Sequence, residues 1–371
     1  MTDTFVADSF SPTCGTHTAF IYERGGVTLV GQLTGLVHLE WERVRDDISK
    51  AHVRLIGSEC CTILADTSTV IHELHIYRSG EKVWEGVITR LEFEHDGSDI
   101  YAEDLLWVPK RRAVEMGYDW SKNPVNAIDL AVYLLKDLCY SRYGDPWNMA
   151  ANVIPVYGPG DPETVRAINS WEATVWDELD ILAEDGGIDY TVVNRTIYIW
   201  DVHLRWSTLP DLVDTDISSF PRIVEYGNEF ANRVAYTDGS GYAGVAVADS
   251  GTLNTYSHYV DVIISTEDRH EDEPPSSLVL SNWYDVALRN VQKMYPPKVA
   301  IVVPANSTLM PSSPWVVNDL IPGSWMMVSM DRLCRSVNEW QRLEAVKVVE
   351  DENGERVQIT CGSAPVTMVL P

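Results

Sequence analysis

Residues 75–93 read HIYRSGEKVWEGVITRLEF, two runs rich in β-branched and aromatic residues on either side of Ser79-Gly80. Alternating runs around a two-residue turn make an antiparallel hairpin. In the second run Val83, Val87, Thr89, Leu91 and Phe93 point mostly one way, and Trp84, Ile88, Arg90 and Glu92 the other. Gly86 inside that strand marks a bulge or a close backbone approach, as at a barrel corner.

The same texture extends outward. AFIYERGGVTLVGQL, GLVHLEWERV, SKAHVRLIG and DIYAEDLLWV, spread over residues 18–108, are short, rich in Val, Ile, Tyr and Trp, and separated by Gly, Ser and Asp. Such segments belong to an antiparallel barrel or sandwich. The period then changes. Asn123 before Pro124 starts a helix with Ile128, Val132, Leu135 and Cys139 at helical spacing, and Ser170 caps a second with Trp171, Val175, Leu179 and Leu182 as its stripe. A hairpin turning at Asn194 follows, so residues 116–205 read as a compact α/β insertion. β text returns after residue 206, interrupted by one helix near 274–298 that packs through Trp283, Val286, Asn290 and Met294. Asn353-Gly354 between alternating runs supplies a last two-residue hairpin turn.

A chain of 371 residues has room for about two to three domains of ~100 to 200 residues each. Its 28 Lys and Arg against 55 Asp and Glu give a net charge of −27, which argues against wrapping nucleic acid, because duplex affinity comes mainly from basic groups displacing counterions. Six cysteines include no Cys-x-x-Cys pair and are too sparse for a disulfide scaffold. The first residues, MTDTFVADSFSPTCG, have neither a basic start nor an apolar core, and no apolar run approaches the ~18 residues of a membrane helix. A soluble chain made in a reducing cytoplasm is expected.

Chemical motifs are weak. Gly239, Gly241 and Gly244 satisfy Gly-x-Gly-x-x-Gly with Asp261 downstream, but strand text follows where a dinucleotide site needs a helix. His72 and His75 fall on opposite faces of a strand, which makes a metal site unfavourable. The stretch from Arg166 to Arg195 holds seven acids and no base between its ends: Glu172, Asp177, Glu178, Asp180, Glu184, Asp185 and Asp189. Most fall off the apolar stripe, as on a solvated helix face. The run STEDRHEDEPP reads as a solvated acidic loop. No catalytic, cofactor or metal residues are assigned.

The combination of LEWERVRDDISKAHVRL, the 75–93 hairpin with its continuation to KRR, SWEATVWDELDILAEDGGIDYTVVNRTIYI, FPRIVEYGNEFANRVAYTDG, DLIPGSWMMVSM and RLEAVKVVEDENGERVQITC resembles the tail-tip hub, or minor tail, proteins of siphophages, which are similar to the baseplate hub protein of contractile phages. The resemblance implies a mainly β (α+β) chain with two antiparallel β-barrel hub-type domains. The first would span 1–115 and be completed by 206–240, around the 116–205 insertion; the second would span 241–371 with its helical excursion at 274–298. It implies a homotrimer whose six barrels match a sixfold tail tube to a threefold tip. Partners would be the distal tail protein ring, the tape measure protein and other tail-tip or spike proteins, with DNA only in passage and no enzyme activity. The virion tail tip is the expected location, after assembly in the bacterial host cytoplasm. Trp41, Arg43, Trp84 and Gly86 are interface candidates. Asp177, Glu178, Glu184, Asp185, Glu271, Asp272 and Glu273 are candidates to face the channel. Two rival readings are a carbohydrate- or receptor-binding module, for which 13 Trp and 17 Tyr provide platforms, and a tail-associated hydrolase.

Overall fold

The computed structural model describes residues 16–57, 60–115, 117–120, 123–136, 152–158, 163–164, 166–168, 170–184, 187–219, 222–226, 230–237, 243–247, 259–265, 298–302, 308–331 and 336–363, with Tyr284, Ala287, Leu288, Val291, Met294 and Tyr295 between them. Seven strands open the chain: β1 (His17–Glu23), β2 (Leu29–Leu33), β3 (Leu36–Val44), β4 (Lys50–Leu55), β5 (His72–Arg78), β6 (Glu81–Phe93) and β7 (Ser98–Glu103), with helix α1 (Cys60–Ala65) after β4. Helix α2 (Trp107–Arg111) leads into the insertion. There β8 (Tyr118–Asp119), β9 (Val125–Asn126), α3 (Ala127–Tyr133), β10 (Asn152–Val156), β11 (Glu163–Thr164), β12 (Ala167–Ile168), α4 (Val175–Glu184), β13 (Ile188–Val193) and β14 (Thr196–Asp201) follow in order. The remainder is β15 (Leu212–Val213), β16 (Arg222–Tyr226), β17 (Arg233–Thr237), β18 (Ala243–Val247), β19 (Asp261–Ser265), β20 (Lys298–Val302), β21 (Trp325–Met330), β22 (Val337–Asp351) and β23 (Gly354–Ser363). The class is mainly β, as expected.

The opening hairpin forms as its sequence demands. Arg78 pairs with Glu81, and Ser79 and Gly80 between them both have positive φ, 51° and 87°. The ladders of β6 slip twice, leaving Val83 unmatched against β5 and Thr89 unmatched against β7. Gly86 lies between the two bulges at a close approach: a Cβ there would stand 2.2 Å from the Glu103 carbonyl and 2.5 Å from the Trp84 ring. The middle of β6 is buried on both faces. Trp84 and Ile88 join the main core, while Val87 joins the core of the insertion.

One sheet of eleven strands organises the molecule, in the order β15-β21-β22-β3-β4-β7-β6-β5-β1-β2 with β23 on β22. It is an open sheet and not a closed barrel: β2 and β15 are its ends. The C-terminal strands, expected in a second barrel over 241–371, pair with the N-terminal ones, β22 running antiparallel to β3 from Ala345↔Val44 to Glu350↔Leu39. The reason is burial. Val346, Val348, Val357 and Ile359 pack in one core with Trp41, Val53, Ile76 and Ile100, which leaves β3 no open edge there. Of the described residues in the segment 206–240, expected to complete the first barrel, Leu209, Leu212 and Ile217 join that core.

The insertion has its own core. Asn126 caps α3, its side chain accepting from the Ile128 and Asp129 amides, so the helix starts three residues later than the Asn123-Pro124 pair suggests. Thr174 and Asp177 cap α4 reciprocally, each side chain accepting from the other's amide at 3.1 and 2.8 Å. Ser170, expected in that role, accepts instead from the Gly117 amide. The β13–β14 hairpin turns at Asn194, φ 53°, and β10 adds parallel to β14. Cys139 lies outside the described residues. Between 222 and 302 the strands form two small sheets, β16–β20 and β18–β17–β19, the latter sharing a core of Val234, Tyr236, Ala246, Ala287 and Val291. Tyr284, Ala287, Leu288, Val291 and Met294 are helical, whereas Trp283, Val286 and Asn290 lie outside the described residues.

Buried arginines join these separated stretches of chain. Arg78 at the end of β5 makes a two-toothed pair with Glu355 of β23, at 2.7 and 2.9 Å. Arg43 donates to the carbonyls of Asn318, Leu320 and Val83, and burial pushes its pKa down to about 10. Asp189 of the insertion is held by Arg45 of the β3–β4 loop and Arg342 of β22, each at 2.5 Å. Asp46 and Glu344 share the same two guanidiniums. Three carboxylates therefore divide two cations. Burial pushes Glu344 upward, but Arg45 and Arg342 outweigh it and hold that carboxyl below its ordinary range. The surplus falls on Asp46, which burial and the Asp189 charge push up to about 8.

Three outcomes follow from this packing. Asp189→Asn removes the acid that both Arg45 and Arg342 hold, while Asp46, relieved of that neighbouring charge, ionises in its place, so stability should fall by only about 1–2 kcal/mol, read as a lower urea midpoint for the main sheet. Gly86→Ala forces a Cβ into the Glu103 carbonyl and should cost at least ~2 kcal/mol by the same measurement. Asp104 caps the junction of β7 and α2, accepting from the Ser49 and Leu106 amides, and burial pushes it from 3.8 up to about 7. Between those values the folded chain holds a proton that the unfolded chain releases, so this group's contribution falls as pH rises from about 4 to 7. Asp104→Asn should therefore gain on the parent over that window, by up to ~4 kcal/mol at about 1.4 for each pH unit, and the gain should level off above it.

Candidate assembly surface

The interface candidates lie inside the protomer. Trp41, Arg43 and Trp84 are 0, 2 and 3 % exposed, and Gly86 is buried with them. The Trp41 indole donates to His17 Nε2 at 3.1 Å, and the Arg43 guanidinium stands 5.2 Å from the Trp41 ring centroid. An indole can only donate, so His17 carries its proton on Nδ1, the atom turned to Glu350 of β22. These contacts bring the start of β1 against β3 and β22 as the sheet curls.

The acidic candidates divide. Asp177 and Glu184 are exposed, Asp177 serving the α4 cap. Glu178 is buried, 3.0 Å from Arg166 and accepting from the Tyr118 hydroxyl at 2.8 Å. The neighbouring carboxylate raises the Tyr118 pKa further, after burial has already done so. Asp185, Glu271, Asp272 and Glu273 lie outside the described residues. Sequence spacing could not show that the bases matching Asp189 of this stretch are Arg45 and Arg342, far away along the chain.

The arrangement nearest to catalytic chemistry is Glu73, His75 and Glu85 on β5 and β6. His75 Nε2 lies 3.4 Å from Glu73 and 3.2 Å from Glu85, and all three side chains are at most 1 % exposed. Arg195, from the β13–β14 turn, covers Glu73 and stands 3.5 Å from Glu85, while Lys82 pairs with Glu85 at 2.7 Å. Tyr22 stacks on the imidazole at 4.1 Å. The carboxylates are matched by cations and closed off, so the cluster fastens the insertion hairpin to the main sheet. Among the described residues no group of three His, Cys, Asp or Glu has metal-binding geometry. Gly244 of the glycine-rich motif faces the Tyr236 ring, where a Cβ would approach to 2.1 Å, and Asp261 pairs with Arg233.

Some exposed apolar side chains sit at turns, where alternation does not single them out. Val27 and Leu29, 88 and 52 % exposed, border the β1–β2 turn beside Val70 and Ile71, whose carbonyls accept from Arg24. Strand β2 is an end of the sheet, and α1 packs against it with Ile63 over Gly31. Val37, also exposed, borders a cleft of about 560 Å³ whose walls include His17, His38, Arg54 and the Glu350–Asn353 turn. On the solvated face His52 stacks on Tyr101 at 4.5 Å, and Arg90 covers the other side at 3.8 Å. An end strand flanked by apolar turns can accept a neighbouring chain.

No family model matches the chain, and no curated protein matches it. Solved structures do. A tail protein from Neisseria meningitidis MC58 is similar at a TM-score of 0.59 and 12 % identity, over 96 % of this chain and 99 % of that one. The prophage tail protein gp18 of Listeria monocytogenes EGD-e is similar at 0.59 and 8 % identity, over 94 and 95 %. A chain of the Francisella PdpA-VgrG complex is similar at 0.53 and 10 % identity, over 96 % of this chain and 59 % of that one. Along nearly its whole length, the chain has the fold of phage tail proteins.

Proposed function

We propose that this protein is a structural hub subunit of a siphophage tail tip, and that three copies form a ring joining the sixfold tail tube to the threefold tip around the DNA channel. The observation that carries this reading is the match in fold to the Neisseria tail protein over 96 % of this chain and 99 % of that one. The closed Glu73–His75–Glu85 cluster supports a non-catalytic role, since no substrate can reach it. The β2 end of the sheet, with Val27 and Leu29 beside it, is the surface on which a neighbouring copy would seat. The distal tail ring, the tape measure protein and a spike are the expected further partners. The resemblance to a chain of a VgrG-containing complex supports the spike. A net charge of −27 on each copy suits a wall past which phosphates slide, because like charges repel within a Debye length of about 8–10 Å.

Images of virion tails should show three copies of the chain at the tip. Six copies, or one, would overturn the ring. Val27→Asp combined with Leu29→Asp changes only exposed side chains and should leave the isolated chain folded, with its melting temperature within ~3 °C of the parent. The same pair of changes should abolish incorporation into tails.

A further inference from the structure

Trp171 is displayed to solvent by a backbone built to hold it there. It is 68 % exposed, and every other tryptophan among the described residues is buried or half-buried. Its φ is 70°, a conformation that residues with a Cβ avoid and that a bulky side chain makes still less favourable. The strand alongside enforces it. The Trp171 amide donates to the Val114 carbonyl at 2.8 Å, the Val114 amide returns a bond to Ala173 at 2.9 Å, and the Val175 amide donates to Arg112 at 2.8 Å. On the other side Ser170 Oγ accepts from the Gly117 amide at 2.9 Å. Strained backbone fixed by its surroundings, carrying an exposed indole, is a reason to look for a ligand.

We propose that Trp171 is a stacking platform for the pyranose ring of a neutral cell-surface polysaccharide. An indole face lies flat against the C–H face of a hexose, and one ring is enough for weak binding, whereas a tryptophan anchoring a protein contact works within a wider patch that shuts out water. Among the described residues no such apolar patch surrounds Trp171. From residue 158 to 212 no other described large apolar side chain is exposed, and Tyr157 at the edge of the insertion commits its hydroxyl to Asp129 at 2.7 Å. The neighbours are polar: Ser170, Glu172 and Asp177 are exposed and Glu115 is half-buried. Hydroxyls of a sugar are natural partners for such groups. The acids also select against anionic polymers such as teichoic acids, whose phosphates they repel.

The site is independent of the ring proposed above. Saturation-transfer NMR of the full chain with chitohexaose, cellohexaose and maltohexaose should show binding of at least one in the millimolar range, and none of a teichoic acid. Trp171→Gly relieves the positive φ and should stay folded with an unchanged or raised melting temperature, while weakening binding by about tenfold or more. Trp171→Tyr keeps a ring and should bind within about threefold of the parent. Virions carrying Trp171→Gly should assemble normally and adsorb more slowly. Absence of binding to all three oligosaccharides overturns the proposal. So does a Trp171→Gly chain that unfolds, or one that folds but fails to enter tails, since the indole would then serve packing or a protein contact.

Discussion

The structure depends on one constraint: the main sheet is assembled from two ends of the chain that lie more than two hundred residues apart. β3 ends before residue 45 and its partner β22 begins at 337, and the core is complete only when Val346, Val348 and Val357 meet Trp41 and Ile76. Hydrophobic burial draws the two ends together but is non-directional. Register comes from the buried ion pairs. A slip of β23 by one residue would separate Glu355 from Arg78, and a slip of β22 would take Arg342 from Asp189. Buried charges tolerate such loss poorly, so the same groups that add little net stability specify one alignment.

The same reasoning explains why the insertion can sit in the middle of the chain without disrupting the sheet. It is tied on through Asp189 to Arg45 and Arg342, through Arg195 to Glu73 and Glu85, and through Val87 on the outer face of β6. Each tie ends on a strand of the main sheet, so the insertion braces β3, β5, β6 and β22 together. Clusters that look like acid/base machinery by composition are thereby explained as fasteners. In each, the carboxylates meet guanidiniums, and the Asp46 proton takes up the one charge left over.

Local features were legible in the sequence and long-range ones were not. The Ser79-Gly80 and Asn194 turns, the Val175, Leu179 and Leu182 stripe and the close approach at Gly86 follow from chemistry within a few residues, whereas Trp171, expected on the same stripe, stands before the helix and is exposed. At the last hairpin only Gly354 of the expected Asn353-Gly354 pair has positive φ, at 93°, and Asp351 pairs with Gly354 across the turn. The helix starts moved because Asn126 and Thr174 offer better cap geometry than Asn123 and Ser170, and no propensity distinguishes one short polar side chain from another. The placement of residues 325–363 was missed because alternation says that a strand exists and not which edge it joins. Trp41 and Trp84 were interface candidates for the same reason: His17, which accepts from Trp41, and most of the core that takes up Trp84 come from other strands.

Charge closes the argument. The buried acids are largely cancelled where they sit, by Arg45, Arg78, Arg166, Arg195 and Arg342. Removing matched pairs from the interior leaves the net −27 unchanged, and Arg43, whose partners are carbonyls, hides one more cation from solvent. Asp46 and Asp104, both pushed up by burial, withdraw acids in the same way, so the surface keeps an acidity close to that of the composition. A protein whose interior uses its arginines to align strands has few left to hold phosphates outside. Strong attraction of nucleic acid needs clustered exposed bases, and several of the described surface bases, Arg54, Arg90, Arg233, Lys347 and Arg356, stand within 4 Å of a carboxylate. The demand for a unique register in a discontinuous sheet thus takes up arginines that would otherwise add positive charge to the surface.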